Sequence, residues 1–394
     1  MCALANCSVV ICLLEIINPT LNFSEGPVGA IPVILDDNQI DRVNSITKKC
    51  IDISSCDWDS YETSWDFIEQ PLVRHHKSGE PLAFAYESWK AECDERFYQL
   101  KANEEGLNRI FAQIYHMEDE VPIEVPLDKV SVHIVFDSEA EVPAEFKNSN
   151  YVRTKADEVK SLISYGVGCI MGRYSTYAPG LILADAGQTL ADFKQKVPQA
   201  AFLPDEDAII PVLDDEWFVD DIVFQFKKWL ADTFGADELE ESVDFVEEAL
   251  GKDIRAYFVK DFYKDHCATY SVASSGKRPI YWMFSSPKGS FKALVYMHRY
   301  TPSTVGQMLT KYLREYIEKL TASIGVLEMS DRAADARKAD KYRSTVKELT
   351  DWERDVVYPL ANERVEIDLD DGVKVNYNKF PHALAKVPGL SEWK

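Results

Sequence analysis

No stretch of the sequence offers the roughly 18 uninterrupted apolar residues that a membrane-crossing helix needs. The apolar opening, Val9 to Ile17, is too short for a span, carries Glu15 and has no basic flank before it, which argues against an export signal. Leu4-Ala5-Asn6-Cys7 fails as a lipoprotein signal, because asparagine is too large for the position before the cysteine. The expectation is a soluble, cytoplasmic protein. Eight cysteines (Cys2, Cys7, Cys12, Cys50, Cys56, Cys93, Cys169, Cys267) form no Cys-x-x-Cys pair, so no zinc site is signalled and scattered thiols suit a reducing compartment. Positive charge is also scarce. With 43 basic against 66 acidic side chains the net charge is −23, and a uniformly acidic surface repels phosphate. Any nucleic-acid contact must therefore be local, along a basic strip.

The chain is rich in apolar side chains. At 394 residues, 46% hydrophobic and 12% aromatic, it is too apolar for global disorder and long enough for two or three domains. From Leu82 to Ile114 apolar residues recur three or four apart, the period of a long amphipathic helix with a candidate break at Gly106; Pro122 and Pro126 then mark a linker. Val130 to Phe136 alternates like a strand, Ala156 to Ser164 reads as helix, and Phe245 to Phe262 as helix with a break at Gly251. Two stripes, Leu309 to Leu327 and Tyr342 to Val356, flank the charged stretch Ser330 to Lys341 and predict an antiparallel helical hairpin. Val365 to Tyr377, with Asp370-Asp371-Gly372 between two alternating runs, predicts a C-terminal β-hairpin.

The most informative stretch is Lys277 to Lys292, running on to Tyr300. Ser286-Pro287-Lys288-Gly289 suits a type I turn, since proline presets φ at its second position and glycine suits its fourth. The flanks read as strands, with Ile280, Trp282 and Phe284 on one face and Tyr281, Met283 and Ser285 on the other. Lys277, Arg278, Lys288, His298 and Arg299 then fall near the hairpin ends, in reach of phosphate or base edges. The plainer reading is a half-buried core hairpin with solvated charges.

This hairpin, preceded by Lys260-Asp261-Phe262-Tyr263-Lys264-Asp265-His266, resembles a signature near the C-terminus of the adenine-specific DNA methyltransferases of bacteriophage exclusion (BREX) systems, the PglX family. Similar matches, in the family's order, are Asn18-Pro19-Thr20-Leu21-Asn22-Phe23, Thr63-Ser64-Trp65-Asp66-Phe67, Ser164 to Ser175, Pro204 to Asp207, Leu213 to Phe218 and Ile367 to Tyr377. The resemblance spans roughly residues 9 to 390 and is confined to the family's region C-terminal to the methyltransferase domain. It implies an α+β chain in four parts: residues 1–60, the tail of a methyltransferase domain; 61–126, a helical connector; 127–302, a target-recognition domain reading DNA; and 303–394, the helical hairpin plus C-terminal β-hairpin. It also implies S-adenosylmethionine as cofactor of the full-length enzyme, and double-stranded DNA, a catalytic half and other BREX components as partners.

Methyl transfer to adenine N6 needs a glycine-rich cofactor loop and an Asn/Asp-Pro-Pro-aromatic loop for the flipped base. The sequence has neither: Asn18-Pro19 is followed by Thr20, and Gly166-Val167-Gly168 leads to Gly172-Arg173-Tyr174, which reads as a tight turn. No catalytic, cofactor or metal residue is therefore expected here. Candidate DNA contacts, from charge and motif position, are Arg153, Lys155, Arg173, Lys277, Arg278, Lys288 and Arg299. For Arg173 a salt bridge with the acidic surroundings is equally compatible. The acidic run Asp205, Glu206, Asp207, Asp214, Asp215, Glu216, Asp220 and Asp221 lacks calcium-loop spacing and reads as a solvated or partner-facing patch. Asp137 with Glu145-Phe146-Lys147 only faintly resembles a nuclease arrangement. The competing reading of the whole chain is an acidic protein-interaction scaffold that never touches DNA.

Overall fold

The computed structural model describes residues 1–18, 25–272 and 276–393. The Asn18 to Phe23 motif lies mostly outside them. The chain divides into two compact units, one of residues 1–67 and 84–158, the other of residues 68–83 and 159–394.

In the first unit α1 (Ser8–Ile17) and α2 (Ile40–Trp58) precede the long helix α3 (Leu82–Tyr115), which Gly106 does not interrupt. The apolar stripe of α3 is buried at Trp89, Cys93, Phe97 and Leu100, as its period predicts. The expected strand shrinks to β1 (Ile134–Phe136), which pairs in parallel with β2 (Val152–Thr154); β2 runs directly into α4 (Lys155–Met171). Phe97, Leu100, Val130, Val132, Ile134 and Phe146 form the core beneath this pair.

In the second unit β3 (Ile209–Pro211) leads to α5 (Ile222–Phe234) and α6 (Leu239–Leu250). Gly251 ends α6 in the left-handed region at φ +65°, where glycine has no side chain to clash. Ile254–Tyr257, the π-helical turn Phe258–Phe262 and Tyr263–Thr269 then run on as one helix, α7. A short antiparallel ribbon, β4 (Ser271–Val272) with β5 (Gly276–Lys277), precedes the predicted hairpin, β6 (Tyr281–Ser285) and β7 (Lys292–Tyr296). β3 adds to the outer edge of β7, giving the sheet order β3-β7-β6.

The turn closes as expected, with Gly289 N donating to Ser286 O at 2.8 Å. Both faces of the hairpin are buried: Trp282 and Phe284 on one, Tyr281 and Met283 on the other. Thr304–Gln307, Met308–Leu313 and Arg314–Leu327 form the continuous helix α8, and Ala333–Trp352 begins α9, which continues through Glu353–Val357 to Tyr358–Glu363. They pack antiparallel, as predicted: Arg314 near the start of α8 pairs with Glu353, and Glu328 at its end with Arg343. The C-terminal β-hairpin does not form. Asp368 caps a 3₁₀ turn, Leu369–Asp371, and Val373–Tyr377 is a helix that sends Tyr377 into the core against Trp282. Asn376 holds this geometry, accepting from Asp368 N at 3.1 Å and donating to Gly372 O at 3.1 Å.

Candidate nucleic-acid interface

The seven cations chosen from the sequence are divided between the two units. Two lie in the first unit. Arg153 donates through Nε to Glu158, a fully buried carboxylate whose other oxygen accepts from Trp89 Nε1 at 2.9 Å, and its guanidinium lies 4.5 Å from the Tyr61 ring centre. Lys155 Nζ sits 5.1 Å from the centre of the Tyr86 ring. These residues bind the end of β2 to α3, so Arg153 is committed inside the fold rather than presented to a ligand. Asp137, the faint nuclease candidate, is likewise engaged, accepting from Tyr86 Oη at 2.8 Å and from Lys90 Nζ at 2.9 Å.

In the second unit Arg299 also differs from expectation. It is buried, and its fork donates to Met171 O at 3.3 Å, Asp205 O at 2.8 Å and Glu206 O at 2.7 Å, closing main-chain acceptors that loops leave open. Lys288 is exposed at the hairpin tip, beside a shallow cleft that Glu348, Asp351 and Asp355 also line. Its main-chain N–H, with the Ser286 and Ser290 hydroxyls, is held by the Glu348 carboxylate at 2.6–2.7 Å. The tip is thus clamped by Glu348, in a cleft that Lys347 lines as well, and Arg354 pairs with both Asp351 and Asp355.

Arg173 is nearly enclosed by aromatic rings: its guanidinium is 5.1 Å from the Tyr174 ring centre and 5.8 Å from that of Tyr270. No carboxylate among the described residues pairs with it, so the salt bridge weighed from the sequence is absent. Burial first, and Arg173 second, push His266 down to about 3 and His298 down to about 4. His266 is therefore neutral at pH 7, and its Nε2 accepts from Ile280 N at 3.0 Å and Tyr281 N at 3.1 Å, fixing the hairpin to α7. Gly166 and Gly168 are not in a turn either. They sit inside α4, where a Cβ at Gly166 would meet Trp229 at 2.7 Å and one at Gly168 would meet Tyr174 at 2.5 Å. Their role is close packing, and they leave no room for a cofactor loop.

Lys277 and Arg278 are the pair the structure leaves open. Arg278 is exposed, its N–H donating to Tyr270 O at 2.7 Å. Lys277 on β5 lines a cleft of about 250 Å³ with four lysines not chosen from the sequence: Lys260 and Lys264 on α7, Lys292 on β7 and Lys386 in the C-terminal segment. Tyr263, Cys267 and Met283 form its apolar wall, and no carboxylate lines it among the described residues. None of the five is paired with a carboxylate among the described residues. The acids of α7 are directed elsewhere, Asp261 to Lys252 at 2.8 Å, Asp265 to Lys160 at 3.5 Å and to Tyr257 Oη at 3.1 Å. Lys292 is half-buried, and burial lowers its pKa; its Nζ donates to Val259 O at 2.7 Å. The four-residue step from Lys260 to Lys264 was visible in the sequence. Lys292 and Lys386 join it only through the tertiary fold.

Two curated relatives align with nearly the whole chain. An adenine-specific methyltransferase PglX of Lacticaseibacillus casei (strain Zhang) is 36% identical over 388 residues, covering 93% of this chain and 30% of that protein. An adenine-specific methyltransferase BrxX of Escherichia coli O9:H4 (strain HS) is 34% identical over 400 residues, covering 96% of this chain and 32% of that protein. The chain belongs to the PglX family, as its C-terminal part. It spans less than a third of the length of either relative. No protein-family model matches it. The motifs that resemble PglX thus reflect homology along the chain, and the lysine cleft falls where two of them, the α7 segment and the β6–β7 hairpin, meet. No helix among the described residues is long and apolar enough to cross a membrane.

Proposed function

We propose that this chain is the DNA-recognition and C-terminal helical portion of an S-adenosylmethionine-dependent adenine-N6 DNA methyltransferase of a BREX anti-phage system, and that it does not transfer methyl groups by itself. One observation carries the reading: in a chain of net charge −23, five lysines with no carboxylate partner among the described residues converge on a single cleft. Such local positive potential is what a phosphate backbone requires of an otherwise repelling surface. Lys277 and Arg278 remain proposed DNA contacts, joined by Lys260, Lys264 and Lys386. Arg173, at the edge of the same β4–β5 region through Tyr270, remains a proposed contact as well. The nearest match to a cofactor loop is packed inside α4, so no step of methyl transfer is assigned to this chain.

Residues 1–60 support the expectation that a methyltransferase domain continues from them. Ile11 and Ile16 on α1, Val33 and Leu35, and Ile40, Ile51 and Trp58 along α2 are each exposed, apolar side chains that the rest of a family enzyme could cover. The scaffold reading draws on a second surface, a cleft where exposed Val219 and Phe224 stand beside Glu216, Asp220 and Glu315. An electrophoretic shift with long duplex DNA at low salt separates the two. Retarded DNA supports recognition; free DNA at every protein concentration leaves the scaffold.

A further inference from the structure

We propose that the lysine-lined cleft between α7, the β5–β7 strands and the C-terminal segment is a binding site for a single phosphate group. This rests on the DNA-recognition reading only for the origin of that phosphate, the backbone of the duplex. The site is built rather than incidental. Its cations come from four separate places in the chain, at Lys260 and Lys264, Lys277, Lys292 and Lys386, so no local run of like charge accounts for it. Like charges brought this close repel unless something answers them, and among the described residues no carboxylate lines the cleft to do so. Acids are at hand on the same helix: Asp261 and Asp265 lie one position from Lys260 and Lys264 and are directed to other partners.

Lys277 and Lys292 are partly buried, the other three exposed. The Lys292 ammonium is half-buried and holds one main-chain oxygen, Val259 O, which leaves two N–H donors for a ligand. A ligand entering from solvent meets the exposed Lys260, Lys264 and Lys386 before it. About 250 Å³ accommodates a phosphate with its waters but not a base pair, so the site would set the register of the duplex without reading its sequence. The apolar wall is chemically inert, since burial pushes the Cys267 thiol up to about 11 and keeps it protonated.

The test uses the full 394-residue chain and two probes, inorganic phosphate in chloride buffer followed by calorimetry, and a duplex followed by fluorescence polarisation. The variants are Lys264→Ala with Lys386→Ala, both at exposed positions, and Lys292→Met. The double variant is expected to weaken phosphate at least about tenfold and to lower the slope of log K against log salt for DNA by about 0.9, the loss of one phosphate contact; Lys292→Met should weaken phosphate in the same direction. If phosphate binds saturably and the double variant abolishes it while DNA is never bound, the cleft stands as a site for free phosphate and the recognition reading fails. If DNA binds the wild type and the double variant alike and phosphate does not bind, the cleft is not a phosphate site and the recognition reading survives.

Discussion

The Glu348 carboxylate accepts a hydrogen bond from the Ser286 hydroxyl at 2.7 Å and so ties α9 to the turn of a hairpin 62 residues earlier in the chain. The same carboxylate takes Lys288 N at 2.7 Å and Ser290 Oγ at 2.6 Å, which makes it the group that fixes the turn. Glu348→Ala is expected to destabilise the protein by about 2–4 kcal/mol, since bonds to a charged acceptor contribute about 1.5–3 kcal/mol each and are not additive. Urea unfolding measures it. Lys288→Ala is the control: it keeps the main-chain donor and should leave the midpoint unchanged, whereas an equal loss would show that the lysine side chain holds the tip.

Arg153 and Arg299 are expected to behave as fold residues. Breaking the Arg153–Glu158 pair by Arg153→Met leaves a buried carboxylate with, among the described residues, the Trp89 donor alone, at a cost of about 3–5 kcal/mol. Arg299→Lys keeps the charge but loses the fork that spans three carbonyls, and should cost about 2 kcal/mol. Both losses appear in unfolding curves. In folded samples neither change should alter the salt slope of DNA binding; a lower slope would return that arginine to the interface.

Asp205 gives the protein a pH dependence of unusual sign. Burial first, then the neighbouring Asp207 and Asp220, raise its carboxyl to about 7, while Oδ1 accepts from Asp207 N and Ala208 N. Because the folded value lies above the unfolded one, its contribution is fully present below about pH 4 and is lost as pH rises to about 7. Asp205→Asn keeps the acceptor and removes the charge. Relative to wild type it should gain on the order of 2–4 kcal/mol between pH 4 and pH 8. His266 and His298, whose lowered values take stability away as pH falls below about 6.5, cancel in that difference. Urea unfolding at the two pH values checks it, and a constant difference would contradict the assignment.

Gly168→Ala sets two effects against each other. Alanine favours a helix interior over glycine by about 1 kcal/mol, but here its methyl would lie 2.5 Å from Tyr174 Cδ2 and 3.3 Å from Tyr281 Oη. Overpacking of that kind costs about 1–3 kcal/mol, so a net loss and a lower melting temperature are expected; a gain would mean the helix has room to shift.

The periodic elements were legible in the sequence because their patterns are local. The α3 stripe, the α8–α9 pair, the Gly251 break and the Ser286–Gly289 turn all come from spacing and turn chemistry. Asp370-Asp371-Gly372 misled because it carries hairpin-turn chemistry, yet Asp368 and Asn376 satisfy its main chain as a cap and turn instead. Gly166 and Gly168 misled for a different reason, since close helix packing and loop formation call for the same residue. Site residues were harder. Charge and motif position cannot distinguish Arg299, spent on carbonyls, from Lys277, which is open; and nothing near Lys386 in the sequence points to α7, over a hundred residues earlier.

The most direct measurement is the salt dependence of duplex DNA binding by the wild-type chain and by a Lys260→Ala, Lys264→Ala, Lys277→Ala variant. Measurable binding at low salt is expected, with a slope of log K against log salt that falls by about 0.9 when the lysines around the one phosphate are removed. Identical slopes for the two proteins, or no binding by either, would contradict a DNA-reading role for the cleft.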